Sequence, residues 1–492
     1  MNEKNSYRDI FKTTTLFGGI QVFNILIAVV KSKFIAVLLG PTGMGISGLF
    51  TSTTSMVSGI TNFGLNITAV KDVAAANETN DENKISKTVA ILNKLILFTG
   101  LLGMIITIVL SPILSQITFS NKDYTLGFII ISITILFQQF SNGKLVLLQG
   151  MQKLNSLAKA TLVGSVAGLI IALPTYYVFK LNGIIPVIVL TSFFSLLASW
   201  FYAAKVKVKP EKINFKEAVK GGNDMMKMGF LFSINGMISL ISSYVIRIYI
   251  NKYGGVDEVG LYVAGFTIIN MYVGMIFSAM QTSYFPKLSS ISSDIIKSKE
   301  LINQQSEMMM LIISPVLSFF LIYINWIIII FYSGKFVGVN EMLNWAALGM
   351  YLKSASWALA IILIAKGEKK LYFWNELITS IYMFLINIFG YRFFGLEGLG
   401  ISFFVGYLIY FVQIYIITKS KYDFLFDSKF VKLFILQLVF GVFCFFIAKY
   451  VSKPWSYLVG IPFVALSFWI SIKEINSRID ILGFINHFKL RK

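Results

Sequence analysis

Nothing limits the fold of this chain more than the spacing of its apolar stretches. About fourteen follow one another with short polar breaks, and about 20 apolar residues in a helix suffice to cross the hydrocarbon core of a bilayer. The approximate spans are 11–39, 44–69, 88–116, 124–147, 155–179, 183–204, 228–252, 259–284, 307–331, 341–365, 371–393, 397–418, 430–451 and 454–472. The expected fold class is an all-α polytopic membrane protein. Composition agrees: 56% of the 492 residues are hydrophobic and only 13% charged, with a mean hydropathy of +0.74.

The net charge of +20 would point to nucleic acid in a soluble protein. Here most basic residues lie in short loops between apolar helices, which the positive-inside rule explains without a nucleic-acid partner. With the N-terminus placed in the cytoplasm, the outer loops hold only Lys122, Lys180, Lys252, Lys335, Arg392, Lys449 and Lys453. Both termini are therefore expected in the cytoplasm. The first apolar stretch is too long for a cleavable signal and lacks a cleavage site. Cys444 and His487 are the single cysteine and single histidine, so zinc, haem and His-based triads are not expected, nor any other cofactor.

Two stretches echo each other. Lys33 stands seven residues before Gly40, at the end of the first span, and Arg247 stands seven before Gly254, at the end of the seventh. Gly43-Met44-Gly45-Ile46 matches Glu258-Val259-Gly260-Leu261, Lys71 matches Lys287, and Gln149–Lys153 matches Lys366–Lys370. The separation stays near 214–217 residues. Six spans per repeat make the halves parallel, and in transporters built this way the substrate site is expected at the repeat interface. The expected division is a six-helix lobe over 1–204, a basic cytoplasmic linker over 205–227, a second six-helix lobe over 228–420, and two extra helices with a cytoplasmic tail over 421–492.

Six cations fall inside spans: Lys31, Lys33, Lys94, Lys159, Arg247 and Lys353. Cations at such depth are costly in lipid and normally face a bundle interior or a watery cavity. Lys33 and Arg247 lie roughly 8–9 Å in from the outer ends of their spans, and Lys94 and Lys159 roughly 6–9 Å in from the cytoplasmic side. At that depth Lys94 and Lys159 can also snorkel to the interface. Lys353, near mid-span, is too deep for that. Lys31 and Lys33, two apart on a helix, point to nearly opposite sides, and the repeat favours Lys33 as the one facing a cavity. Glu376 is the one carboxylate well inside a span. It is expected either to pair with Lys353 or Lys159 or to couple an ion. Gln21, Asn24, Gln138, Gln139 and Asn142 read as helix–helix contacts. Several cations and one carboxylate suit an anionic substrate, with diphosphate a natural candidate.

At these residues the chain resembles Wzx-type lipid-linked oligosaccharide flippases (O-antigen and enterobacterial common antigen) of the multidrug/oligosaccharidyl-lipid/polysaccharide exporter superfamily. The stretch Lys33–Gly45 is similar to the end of their first helix, and Thr61–Asn66 followed by Lys71 to the end of their second. Arg247 with Asp257–Gly260, Pro286–Ser289, Lys353, Ile364–Lys366 and Glu376 resemble the second half of the enterobacterial common antigen flippases. The resemblance covers about the first 420 residues in scattered patches and implies two six-helix lobes around a central cavity. It further implies transfer of undecaprenyl-diphosphate-linked oligosaccharides between the leaflets of a bacterial inner membrane. The two extra C-terminal spans depart from it and match the similar lipid II flippases, which keeps lipid II open as a substrate. The expected partners are the lipid-linked oligosaccharide, membrane lipids, and the polysaccharide polymerase and chain-length machinery. An ion-coupled multidrug exporter of the same superfamily is disfavoured by the cationic interior. An enzyme is not expected, because the outer loops are short and no metal-ligand cluster or carboxylate pair stands out.

Overall fold

The computed structural model describes residues 23–209 and 211–478. They are almost wholly helical, and no strand occurs among them. The helices are α1 (23–38), α2 (Gly40–Thr61), α3 (Leu65–Glu78), α4 (Glu82–Val109), α5 (Ser111–Phe119), α6 (Thr125–Gly150), α7 (Leu154–Phe179) and α8 (Ile184–Ala203). After a short α9 (Phe215–Gly221) come α10 (Asn223–Thr267), α11 (Gly274–Ser290), α12 (Ile295–Phe331), α13 (Asn340–Ala365), α14 (Lys369–Tyr422), α15 (Ser428–Tyr450) and α16 (Trp455–Arg478). Several helices outrun the apolar spans that predict them; α12 begins at Ile295 rather than near 307. Hydropathy marks only the lipid-facing part, while Lys, Glu and Gln continue the helix into water at little cost.

Among the described residues, nine helical stretches are long and apolar enough to cross a membrane. Three of them fold back on themselves. Leu154–Ala203 turns at Lys180–Gly183, so that Gly168 meets Thr191 and Gly164 meets Ser195. The stretch Lys369–Tyr422 turns at Gly395, bringing the Ser402 hydroxyl to the Ile386 carbonyl at 2.8 Å. The stretch Asn223–Ser290 turns at Gly255. With α1 and α2 added, the all-α membrane fold of about fourteen crossings expected from the sequence is the one found. The residues before 23, including Gln21, and those after 478, including His487, lie outside the described residues.

The turns also locate the repeat. Left-handed backbone occurs at Gly40, Gln152 and Lys180, and again 215 residues later at Gly255, Gly367 and Gly395. Glycine takes positive φ without steric cost, so Gly255, at φ 83°, and not Gly254 is the partner of Gly40. Counted from these turns, Lys33 stands seven residues before its glycine and Arg247 eight. The two cations are one residue, about 100° of helix, out of the register expected for them. Lys159 and Glu376 are two residues out of it.

The chain forms two compact units. One holds the described residues up to Val263 with Phe331–Ser333; the other holds Ala264–Ile330 and the described residues from Gly334 on. The first has a core of Leu92, Leu95, Leu148 and Val73 at the base of α3, α4 and α6. Near the opposite end Phe50, Phe119, Tyr124 and Phe128 cluster with ring centroids 3.9–6.1 Å apart. The second has a core of Tyr284, Leu288, Leu359, Ile362, Ile414 and Phe424. Its α15 and α16 are bound to each other by Gln437, which accepts from Ser467 at 2.6 Å and donates to Ser471 at 3.2 Å.

Candidate functional site

In the first unit α2 and α10 approach as backbones. A Cβ at Gly45 would strike the Val256 carbonyl, and one at Gly260 the Pro41 carbonyl. This close seam places Arg247 against α2. Its Nη1 donates to the Gly48 carbonyl at 3.1 Å, while its buried Nε has no hydrogen-bond partner. Farther along the same helix Tyr244 and Asn251 fix α10 to the end of α5: the Tyr244 hydroxyl lies 2.7 Å from that of Thr118, and Asn251 donates to the Thr118 carbonyl at 2.8 Å. Arg247 is thus held by its neighbours with part of its donor set uncommitted.

The other cations of this unit are spread out. Lys31 and Lys33 are both half-buried on α1, whereas Lys94 on α4 and Lys159 on α7 are exposed. One cation that the sequence reading assigned to a loop belongs here. Lys144 lies inside α6 and donates to Asn93 of α4 at 3.3 Å. The pair lines a cavity of about 270 Å³ with Ser86, Trp200, Lys209 and Glu211. At its mouth Lys209 bridges to Glu82 at 2.5 Å, and that carboxylate raises the pKa of the Lys209 amine. The signal was available, since Lys144 precedes the end of α6 by six residues, but apolar length alone does not mark a helix end. Gln139 contacts α2 through Ser58 at 3.4 Å, as expected of a helix–helix contact.

In the second unit Lys353 stands near the middle of α13, half-buried. Its Nζ lies 5.1 Å from the ring centre of Tyr407, 5.5 Å from Phe277 and 5.8 Å from Phe403. The faces of aromatic rings attract a cation without neutralising it. Glu376 does not pair with it. The Glu376 carboxylate accepts from the Tyr410 hydroxyl and the Asn375 amide, each at 3.1 Å. Gln413 extends the network, donating to Asn375 Oδ1 at 2.8 Å. The expected Lys353–Glu376 ion pair is therefore replaced by a neutral hydrogen-bond network around the acid and an aromatic box around the base. At one end of the unit Lys449 binds Glu397 at 2.6 Å and Glu341 at 3.6 Å, and Trp345 Nε1 donates to the same Glu397 oxygen at 2.9 Å.

Helix hairpins crossing a membrane, with cations set into both units, define a polytopic transporter-type membrane protein. The fold is that of an inward-facing multidrug resistance MATE family transporter of the MOP superfamily, with a TM-score of 0.66 and 14% identity over 83% of this chain and 98% of that one. It is equally that of the lipid II flippase MurJ in an inward closed conformation, with a TM-score of 0.66 and 13% identity over 95% of this chain and 99% of that one. The chain belongs to the polysaccharide biosynthesis protein family, whose model matches residues 10–292. It is also 20% identical over 357 residues to the lipid III flippase of Escherichia coli (strain K12), covering 70% of this chain and 82% of that relative.

Proposed function

We propose that this protein carries an undecaprenyl-diphosphate-linked oligosaccharide, the repeat unit of a surface polysaccharide, across a bacterial inner membrane by alternating access. The observation that carries the reading is the pairing state of two intramembrane cations. Arg247 and Lys353 are half-buried in crossing helices and, among the described residues, neither is paired with a carboxylate. A cation left in this state is stabilised by an anion that arrives, and the diphosphate of a lipid-linked glycan supplies one. The polysaccharide family and the lipid III flippase relative support the same class of substrate.

In this mechanism both termini are cytoplasmic. Lys159, Lys94 or Lys353 receives the diphosphate from the cytoplasmic side. The lobes 1–204 and 228–420 then rock, and Lys33, Lys31 and Arg247 hold the diphosphate on the outward side. No covalent bond changes. Glu376, within its network of neutral donors, is the candidate for coupling to an ion gradient. A polymerase with its chain-length machinery would take the product.

Depletion of the protein tests the reading. Lipid-linked glycan should accumulate in a form that a glycan label added to intact spheroplasts cannot reach, and the accumulated lipid identifies the substrate, lipid II included. Unchanged labelling with no accumulation refutes flipping of that glycan. A widened drug susceptibility on depletion would instead mark an ion-coupled multidrug exporter.

A further inference from the structure

The basic linker and the turn between α2 and α3 meet in a feature that the mechanism above does not use. An open apolar groove of about 600 Å³ is lined by Phe63, Phe98, Met226, Lys227, Phe230 and Leu231. Its floor is a backbone weld. Gly64 is left-handed at φ 67°, a Cβ on it would strike the Gly229 carbonyl, and one on Gly229 would strike the Phe63 carbonyl. Thr68 reinforces the weld by donating to the Met225 carbonyl at 2.9 Å. Phe63 and Phe230 stand immediately beside these glycines, with ring centres 6.5 Å apart. Phe98 continues the wall and meets Phe215 of α9 at 5.5 Å. The groove is therefore preformed, yet its walls remain uncovered: Leu231 is 60% exposed and Phe230 43%.

The groove is polar at one end only. Lys227 precedes Phe230 by about one turn of α10, and Lys94 precedes Phe98 by about one turn on the same face of α4. Both lysines are exposed, and both helices run outward from the cytoplasm in the topology proposed above. The cations thus sit on the cytoplasmic side of the rings, with apolar wall extending toward the membrane midplane. That is the polarity of a lipid in the cytoplasmic leaflet, with its phosphate toward water and its chain inward.

The geometry points to this groove as the loading site for the polyprenyl chain of the substrate, with the diphosphate on Lys227 and Lys94. The inference rests on the flippase reading and adds the surface where the lipid first docks, before the head group enters the cavity. Ring walls with no polar contribution suit an isoprenoid, and two lysines one turn below suit a diphosphate better than a single phosphodiester.

The test is photolabelling of the full-length protein in nanodiscs with undecaprenyl diphosphate carrying a diazirine in its first isoprene units. Labelled peptides should contain Phe63, Phe98 or Phe230–Leu231. Excess unlabelled undecaprenyl diphosphate should compete and phosphatidylglycerol should not. The surface variant Lys227→Ala should weaken labelling about tenfold, as expected for loss of one charge-assisted contact. Equal competition by phosphatidylglycerol makes the groove an ordinary lipid-contact surface and overturns the inference. Labelling confined to other peptides overturns it while leaving the flippase reading intact. A failure to bind undecaprenyl diphosphate anywhere removes both.

Discussion

Replacing Lys353 by methionine separates a ligand from a prop. The substitution keeps the length of the side chain and its fit against Phe277, Phe403 and Tyr407, and it removes only the charge. Taking an ammonium group out of water costs several kcal/mol even after relaxation. A desolvated ring face returns about 2 kcal/mol, and no carboxylate pairs with Lys353 among the described residues. The resting protein thus gains little from this charge, so Lys353→Met should leave the thermal midpoint in detergent unchanged or raise it. Export is expected to move the other way. A lysine–diphosphate contact is worth about 1.5–3 kcal/mol, so its loss should slow export by about tenfold to a hundredfold. Glycan export in a strain that depends on the variant, read beside the thermal midpoint of the purified protein, gives both signs. A lowered midpoint with normal export would show that the rings and the lysine form a structural contact, and the argument for Lys353 would fail.

Arg247→Ala should abolish export while the protein still accumulates in the membrane, because one hydrogen bond to Gly48 is all that the described contacts lose; immunoblotting of membranes beside a glycan assay checks this. Gly260→Leu drives a side chain into the Pro41 carbonyl, so it should destabilise by about 1–3 kcal/mol or more and lower accumulation in the same blot. Burial lifts the Asp72 carboxyl on α3 above its ordinary 3.8; Lys71 draws it back and Asp224 adds to the rise. The folded state then holds that proton more tightly than the unfolded state, so stability falls as pH rises from 3.8 through the raised value. Asp72→Asn should flatten this part of a thermal-midpoint profile taken from about pH 3.5 to 6.5.

Much of this architecture is legible in the chain because membrane crossing is a property of length and apolarity, which are local. The repeat is legible too, but only to within a residue. Gly254 and Gly255 are adjacent and chemically identical, and tertiary packing decides which takes positive φ. That single residue moves Arg247 by about 100° relative to Lys33. The candidate cations are equally visible, since a charge in an apolar run needs no partner to be noticed. Their partners are not visible. Lys353 meets Phe277, Phe403 and Tyr407, which lie 76, 50 and 54 residues away in sequence, and Glu376 meets Tyr410 across a hairpin. Lys144 escaped notice because helix ends blur where a polar turn continues the helix.

The last two helices are fastened at opposite ends. Lys449 of α15 holds Glu397 and Glu341, and Arg478 of α16 holds Glu307 of α12 at 2.9 Å. Removing α15 and α16 would strand Glu307 and Glu397 without these counter-ions and uncover Tyr351, which packs against Gly441. The pair therefore behaves as a sealed cover for its unit, and any excursion the unit makes must carry the cover along.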